Sequence, residues 1–171
     1  MPGQAIGIQM QFGYPGTFAR NGDCLIINRP VKGSDTEGPK FGDPVVLNSD
    51  NTFSKFGATG TAASFAGVAV REVKQTTDYL GSVGQYLPSQ PCDVIERGNV
   101  SVVCNVGTPT AGGAVYIRIT ANESIPAGVV GGFEAAADGA NTVQITNAKW
   151  ATGLKDSNNV TELAILNRIN P

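Results

Sequence analysis

The sequence predicts an all-β protein, a jelly-roll-like sandwich or β-barrel of short antiparallel strands with an extended N-terminal arm. Three observations predict it. The 171 residues carry 22 glycines and 10 prolines, which punctuate the chain into short segments. Between these breaks lie apolar, β-branched runs with a period of two. No stretch keeps a helical period for more than about two turns.

The first element is Gln4 to Phe12, which alternates strictly. Ile6, Ile8, Met10 and Phe12 fall on one face, and Ala5, Gly7, Gln9 and Gln11 on the other. Gly13-Tyr14-Pro15-Gly16 then breaks the strand and fixes its exit direction. Residues 1–16 therefore read as an arm or edge strand and 17–171 as a single β domain, with no fixed-period repeat to divide it further.

Cys24 to Ile27 is the next apolar run, and Arg29 to Asp43 (RPVKGSDTEGPKFGD) reads as an exposed loop. Pro44 to Asn48 is a short strand. Asn51 to Ala63 is expected as a polar linker in which Phe53 and Phe56 act as lids on the core. In Ser64 to Val73 the spacing places Ala66, Val68 and Val70 on one face of a buried strand. After the rigid turn Pro88-Ser89-Gln90-Pro91 comes the strand Cys92 to Glu96. A turn at Arg97-Gly98 is expected to lead into a second strand, Asn99 to Val106.

Ala114 to Thr120 is a strand, and Pro126-Ala127-Gly128 is expected to start another through Phe133. GGFEAA and TVQIT read as a hairpin about Asp138-Gly139. The chain closes with Asn147 to Thr152, a turn at Asn158-Asn159, and Thr161 to Ile169, where Leu163, Ile165 and Ile169 share a face. The count is roughly ten to twelve short strands.

Composition excludes much chemistry. Histidine is absent, which removes Ser-His-Asp and Cys-His catalysis and imidazole metal sites. The net charge is −2 with 15% charged residues, so no basic footprint for nucleic acid or for a membrane surface exists. Cys24, Cys92 and Cys104 have no metal-ligand spacing and read as reduced, small hydrophobes in or near strands. Met1 to Gly16 holds no Lys or Arg and no continuous apolar run of signal-peptide length, so no secretory leader is expected, and the Asn-x-Ser/Thr triplets at Asn99, Asn122 and Asn159 are not expected to carry glycans. No GxxxxGK[ST] loop occurs.

Asp93, Glu96, Glu72 and Glu134 lie on or near strands, where a glycosidase would place its carboxylates, but no pattern converges two of them and each is expected to face solvent. Asn48-Ser49-Asp50-Asn51 is a short polar turn rather than a calcium loop. Trp150, the one tryptophan, belongs to the core or an interface. No catalytic, cofactor-binding or metal site is expected.

The ordered strings QFGYPGTFARNGD, FAGVAVREVKQ, YLPSQPCDVIERGNVSVV, GGAVYIR, NAKWATG and TELAILNRI resemble the structural cement (head decoration) proteins of tailed bacteriophages. Tyr14 to Gly16, Phe65 to Arg71, Asp93 to Val100 and Ala114 to Arg118 carry the match. Each motif is a common strand or turn, and their order gives them weight. The turns before Cys92 and Val115 depart from the simpler Pro-Gly-Asp-like element of the family, and the Arg29 to Asp43 loop is long. These differences touch partner contact more than fold.

The resemblance implies a non-enzymatic protein made in the host cytoplasm and bound to the outer surface of the assembled capsid. There it would bridge neighbouring major capsid protein subunits, itself a homodimer or homotrimer, with no nucleic-acid or membrane partner. The partner-binding residues expected are Ile6, Ile8, Met10 and Phe12 on the arm, with Tyr14 and Pro15 setting its angle. The alternative is a tail or receptor-binding β module recognising a bacterial surface glycan.

Overall fold

The computed structural model describes residues 11–20, 22–71 and 84–166. The described residues are all-β: nine strands joined in one continuous hydrogen-bonded sheet, with two short 3-10 turns, Ala62–Ser64 and Gly139–Asn141. The strands are β1 (Leu25–Pro30), β2 (Pro44–Leu47), β3 (Phe53–Lys55), β4 (Phe65–Ala69), β5 (Pro91–Val106), β6 (Ala114–Arg118), β7 (Phe133–Glu134), β8 (Thr142–Trp150) and β9 (Val160–Ile165).

The sheet closes on itself twice. The second half of β5 pairs with β9, β9 with β8, β8 with β6 and β6 with β7, all antiparallel. β7 returns to β5 in parallel, Cys104 opposite Phe133. The first half of β5 belongs to another circuit, in which β1, β5, β4, β2 and β3 pair antiparallel. That circuit is closed by a parallel bridge between Val31, which follows β1, and Phe53. Each ring has five strands. Four antiparallel steps around an odd ring restore the starting direction, so the fifth must be parallel. Closure leaves few unpaired edges, which is how small barrels avoid edge-to-edge association.

β5 serves both rings because it is one strand of 16 residues, not two strands about a turn. At the expected turn the chain bulges instead. Leu25 lies opposite Arg97 and Ile26 opposite Ile95, leaving Glu96 as the extra residue. Gly98 follows with φ 127, where a Cβ would stand 3.0 Å from the Asp23 carbonyl oxygen and 3.1 Å from Cys24 Cβ. Only glycine lets the strand bend there while β1 lies against it.

Each ring has its own core. Val31, Val45, Phe53, Ala69, Tyr86, Cys92 and Val94 fill the N-terminal ring. A larger cluster fills the C-terminal ring with Val100, Val102, Cys104, Ile117, Phe133 and Trp150, and extends to Phe56, Phe65, Val68, Val70 and Ile95 where the rings abut. β4 is therefore buried on both faces, which is why FAGVA reads as a continuous apolar run.

β4 also corrects the expected face. Val45 lies opposite Gly67 and Val46 opposite Phe65, so Ala66 is bulged. The bulge shifts the side-chain phase by one. Phe65, Val68 and Val70 enter the larger core, whereas Ala66 packs against the smaller one.

Three further expectations are revised. Asn51 to Ala63 contains β3, and Phe53 and Phe56 are fully buried core residues rather than lids. Residues 122–132 are successive turns, with Gly128 N–H donating to the Ile125 carbonyl and Gly132 N–H to the Val129 carbonyl, so the strand is only Phe133–Glu134. That short strand pairs with β6 and β5, not with β8, so no hairpin forms about Asp138-Gly139.

β7 is too short to hold itself. Glu134 on β7 accepts two hydrogen bonds from Arg118 on β6, at 2.5 Å from Nε and 2.9 Å from the second guanidinium nitrogen, and both side chains are fully buried. The remaining guanidinium nitrogen donates to Asp138 at 2.8 Å and to the Thr120 carbonyl at 3.2 Å. Asn122 and Asn141 donate to the same Asp138 carboxylate. Gly128 lies directly over the guanidinium, where a Cβ would collide with Arg118. This charge-assisted cluster fastens the 120–141 loop region to the C-terminal ring.

Candidate functional site

Of the residues expected to bind a partner, Phe12, Tyr14 and Pro15 are described, while Ile6, Ile8 and Met10 lie outside the described residues. The three are brought together in and beside one turn, and local chemistry explains how. Tyr14 to Thr17 is a turn in which the Thr17 N–H (3.1 Å) and Thr17 hydroxyl (2.7 Å) both donate to the Tyr14 carbonyl. Pro15 supplies a fixed φ, and Gly16 follows with φ 80, the pattern of a type II turn.

The turn is gripped from two sides. Gly16 N–H donates to the Ser101 carbonyl on β5, and Arg71 N–H, just beyond β4, donates to the Gly16 carbonyl, both at 2.8 Å. A Cβ on Gly16 would stand 2.8 Å from Phe41 Cβ and 2.9 Å from Gly42 N. One on Gly42, itself at φ 88, would stand 2.6 Å from Pro15 Cβ. Neither position tolerates a side chain without displacing the turn.

From there residues 17–19 run antiparallel along β5. Ser101 N–H donates to the Thr17 carbonyl at 2.9 Å, Ala19 N–H to the Asn99 carbonyl at 3.1 Å, and Phe18 bridges Val100. The seat beneath is polar as well as apolar. Phe12 N–H reaches Asp156 at 3.3 Å and its carbonyl accepts from the buried Ser101 hydroxyl at 2.8 Å. Arg20 donates twice to Glu162 on β9, at 2.7 and 3.2 Å. Glu162 is 5% exposed and Arg20 70%, so Arg20 supplies the cation that this nearly buried carboxylate needs. Tyr14 projects from the turn 72% exposed.

The other candidates take structural roles. Glu134 and Glu96 are buried, not solvent-facing; Glu134 is committed to Arg118, and Glu96 occupies the β5 bulge. Asp93 accepts a hydrogen bond from Asn28 at 2.6 Å, and Glu72 lies outside the described residues. Trp150 is core. Cys24 is exposed, Cys92 and Cys104 are buried, and all three are thiols. Among the described residues no group of three or more Cys, Asp or Glu is placed to hold a metal, and no helix is long and apolar enough to cross a membrane. A mixed-charge cleft of about 460 Å³ lies between Lys32, Glu37, Asn48 and Lys55. Nothing in it converges on a reacting atom. What sequence reasoning missed is the seat beneath residues 12–20: Ser101, Asp156 and Glu162 are remote from it in sequence, and only Ser101 and Glu162, polar residues within apolar strands, carry any mark.

The family model of the XM1 gp53 minor capsid protein matches residues 3–165. The chain belongs to the XM1 gp53 minor capsid protein family. A chain in the solved capsid of Myoviridae phage XM1 shares the fold with a TM-score of 0.68 over 96% of this chain and 97% of that one, at 16% identity. No curated protein matches. Membership in the XM1 gp53 family makes the chain a capsid-associated minor structural protein of a phage virion, in agreement with the resemblance to head decoration proteins.

Proposed function

We propose that the chain is a capsid cement: a non-enzymatic protein that binds the outer surface of the assembled capsid and bridges neighbouring major capsid protein subunits. The observation that carries this reading is the arm base. It is bonded to β5, the strand both rings share, to Arg71 just beyond β4 and to β9, so a pull on the arm is delivered to the whole sheet. A bridging protein needs that path for load. The alternating segment with Ile6, Ile8, Met10 and Phe12 leads into this base and has the pattern of a strand added to a neighbour's sheet edge. A dimer or trimer holding several capsid subunits gains avidity through effective concentration, so weak single contacts suffice. A glycan-binding module would present clustered aromatics, whereas Tyr14 is the one aromatic among the exposed large hydrophobic side chains of the described residues.

The test is co-sedimentation with purified capsids. The wild-type chain should pellet with expanded capsids and not with unexpanded precursors. Removal of residues 1–10 should abolish pelleting while thermal unfolding stays unchanged. A deletion through Gly16 is too deep, because it uncovers Ser101 and cuts the turn held by Ser101 and Arg71. Absence of wild-type pelleting refutes the cement role, and full binding by the shortened chain refutes the role of the arm.

A further inference from the structure

Tyr14 is the most exposed large hydrophobic side chain among the described residues, and yet its backbone is held in a hydrogen-bonded turn. Four hydrogen bonds fix the turn: two from Thr17 to the Tyr14 carbonyl, one from Gly16 to β5 and one from Arg71 to Gly16. Pro15 removes a backbone torsion, and the close approach of Gly16 to Gly42 leaves the turn no room to shift. An exposed aromatic on a mobile loop loses much of its contact energy to ordering. One on a fixed turn has only its two side-chain torsions left to restrict.

We infer that Tyr14 is a preorganised anchor that seats its ring in an apolar pocket of the capsid protein surface. The contact between Pro15, Gly16 and Gly42 sets its angle. This rests on the cement reading and adds a contact made at the fixed turn, distinct from the alternating segment that precedes it. Tyrosine suits the task, because its ring offers a large apolar area at low entropic cost while the hydroxyl stays compatible with a wet rim. The partner is a protein pocket rather than a sugar, since a single aromatic platform gives a glycan no second face.

The experiment titrates wild type, Tyr14→Ala, Tyr14→Phe and Gly42→Ala onto expanded capsids lacking this protein, with thermal unfolding recorded for each. Tyr14→Ala should weaken binding by about 30-fold, the loss typical of a hot-spot residue, with an unchanged melting temperature. Tyr14→Phe should stay within about threefold of wild type, because the ring carries the contact. Gly42→Ala should weaken binding although Tyr14 is intact; should it fail to fold, Tyr14→Ala still decides. Wild-type affinity in Tyr14→Ala overturns the anchor and leaves the cement reading standing. No wild-type binding overturns both. Loss in Tyr14→Ala of binding to host-surface glycan, with capsid binding unchanged, overturns the protein pocket in favour of a sugar.

Discussion

Replacing Arg118 by methionine tests what holds the C-terminal ring closed. The side chain is fully buried and makes four hydrogen bonds, two of them to the equally buried Glu134. Methionine fills much of the volume but leaves the Glu134 carboxylate buried without its cation. Breaking a buried pair from one side costs about 3–5 kcal/mol. At roughly 2–4 °C per kcal/mol for a chain of this size, the melting temperature should fall by about 6–20 °C. The companion variant R118M/E134L removes the stranded charge, and because the intact pair is itself close to break-even against apolar packing, it should recover most of the loss. Urea unfolding at pH 7 of wild type, R118M, E134L and the double variant measures the coupling. An R118M protein within about 1 kcal/mol of wild type, or a double variant no more stable than R118M, refutes the reasoning.

Two further outcomes follow from the same structure. Asp138 is held below the ordinary carboxylate range, first by the Asn122 hydrogen bond and then by Arg118. A depressed folded-state value stabilises above the unfolded carboxylate pKa of about 3.9, and that contribution is lost as pH falls through the folded value. Melting temperature should be nearly flat from pH 7 to about 5 and drop below about 4, and Asp138→Asn should flatten the lower arm. Burial pushes the Cys104 thiol up, and Cys92 is also buried, whereas Cys24 is exposed. An aromatic disulfide reagent should therefore titrate one thiol rapidly in the native protein and all three after denaturation; rapid reaction of all three in the native state refutes the burial.

The strands that were legible in sequence are those whose apolar residues end at a turn, such as AVYIR in β6 and the start of β9. β5 is not legible as one strand because Arg97-Gly98 has turn composition, and only the neighbouring strand β1 decides whether a glycine with positive φ reverses the chain or merely bends it. β3 was hidden by the polar Ser54 and Lys55. The face of Ala66 is not legible because a bulge changes phase without leaving a mark in the local pattern. At the site, Tyr-Pro-Gly announced its turn through intrinsic torsions alone. The pairing of Arg20 with Glu162 and of Arg118 with Glu134 could not be read, since a charged residue in a strand looks solvent-facing until its partner is placed.

The sharing of β5 between the rings also orders the assembly of the chain. All strands of the N-terminal ring lie before residue 107, so its pairings can form once β5 is available. The C-terminal ring waits for β9, which ends at Ile165. Its closing pairs join Val100 to Leu163 and Val103 to Val160, contacts of long sequence separation that place folding in the slow range of all-β topologies. During synthesis from the N terminus, the first ring can fold while the outer edge of the second half of β5 is still unpaired. Until β9 arrives, the edge of 98–103 that it will cover is the part of the chain most open to wrong pairing, because residues 17–19, bonded to Asn99 and Ser101, occupy the opposite edge of β5.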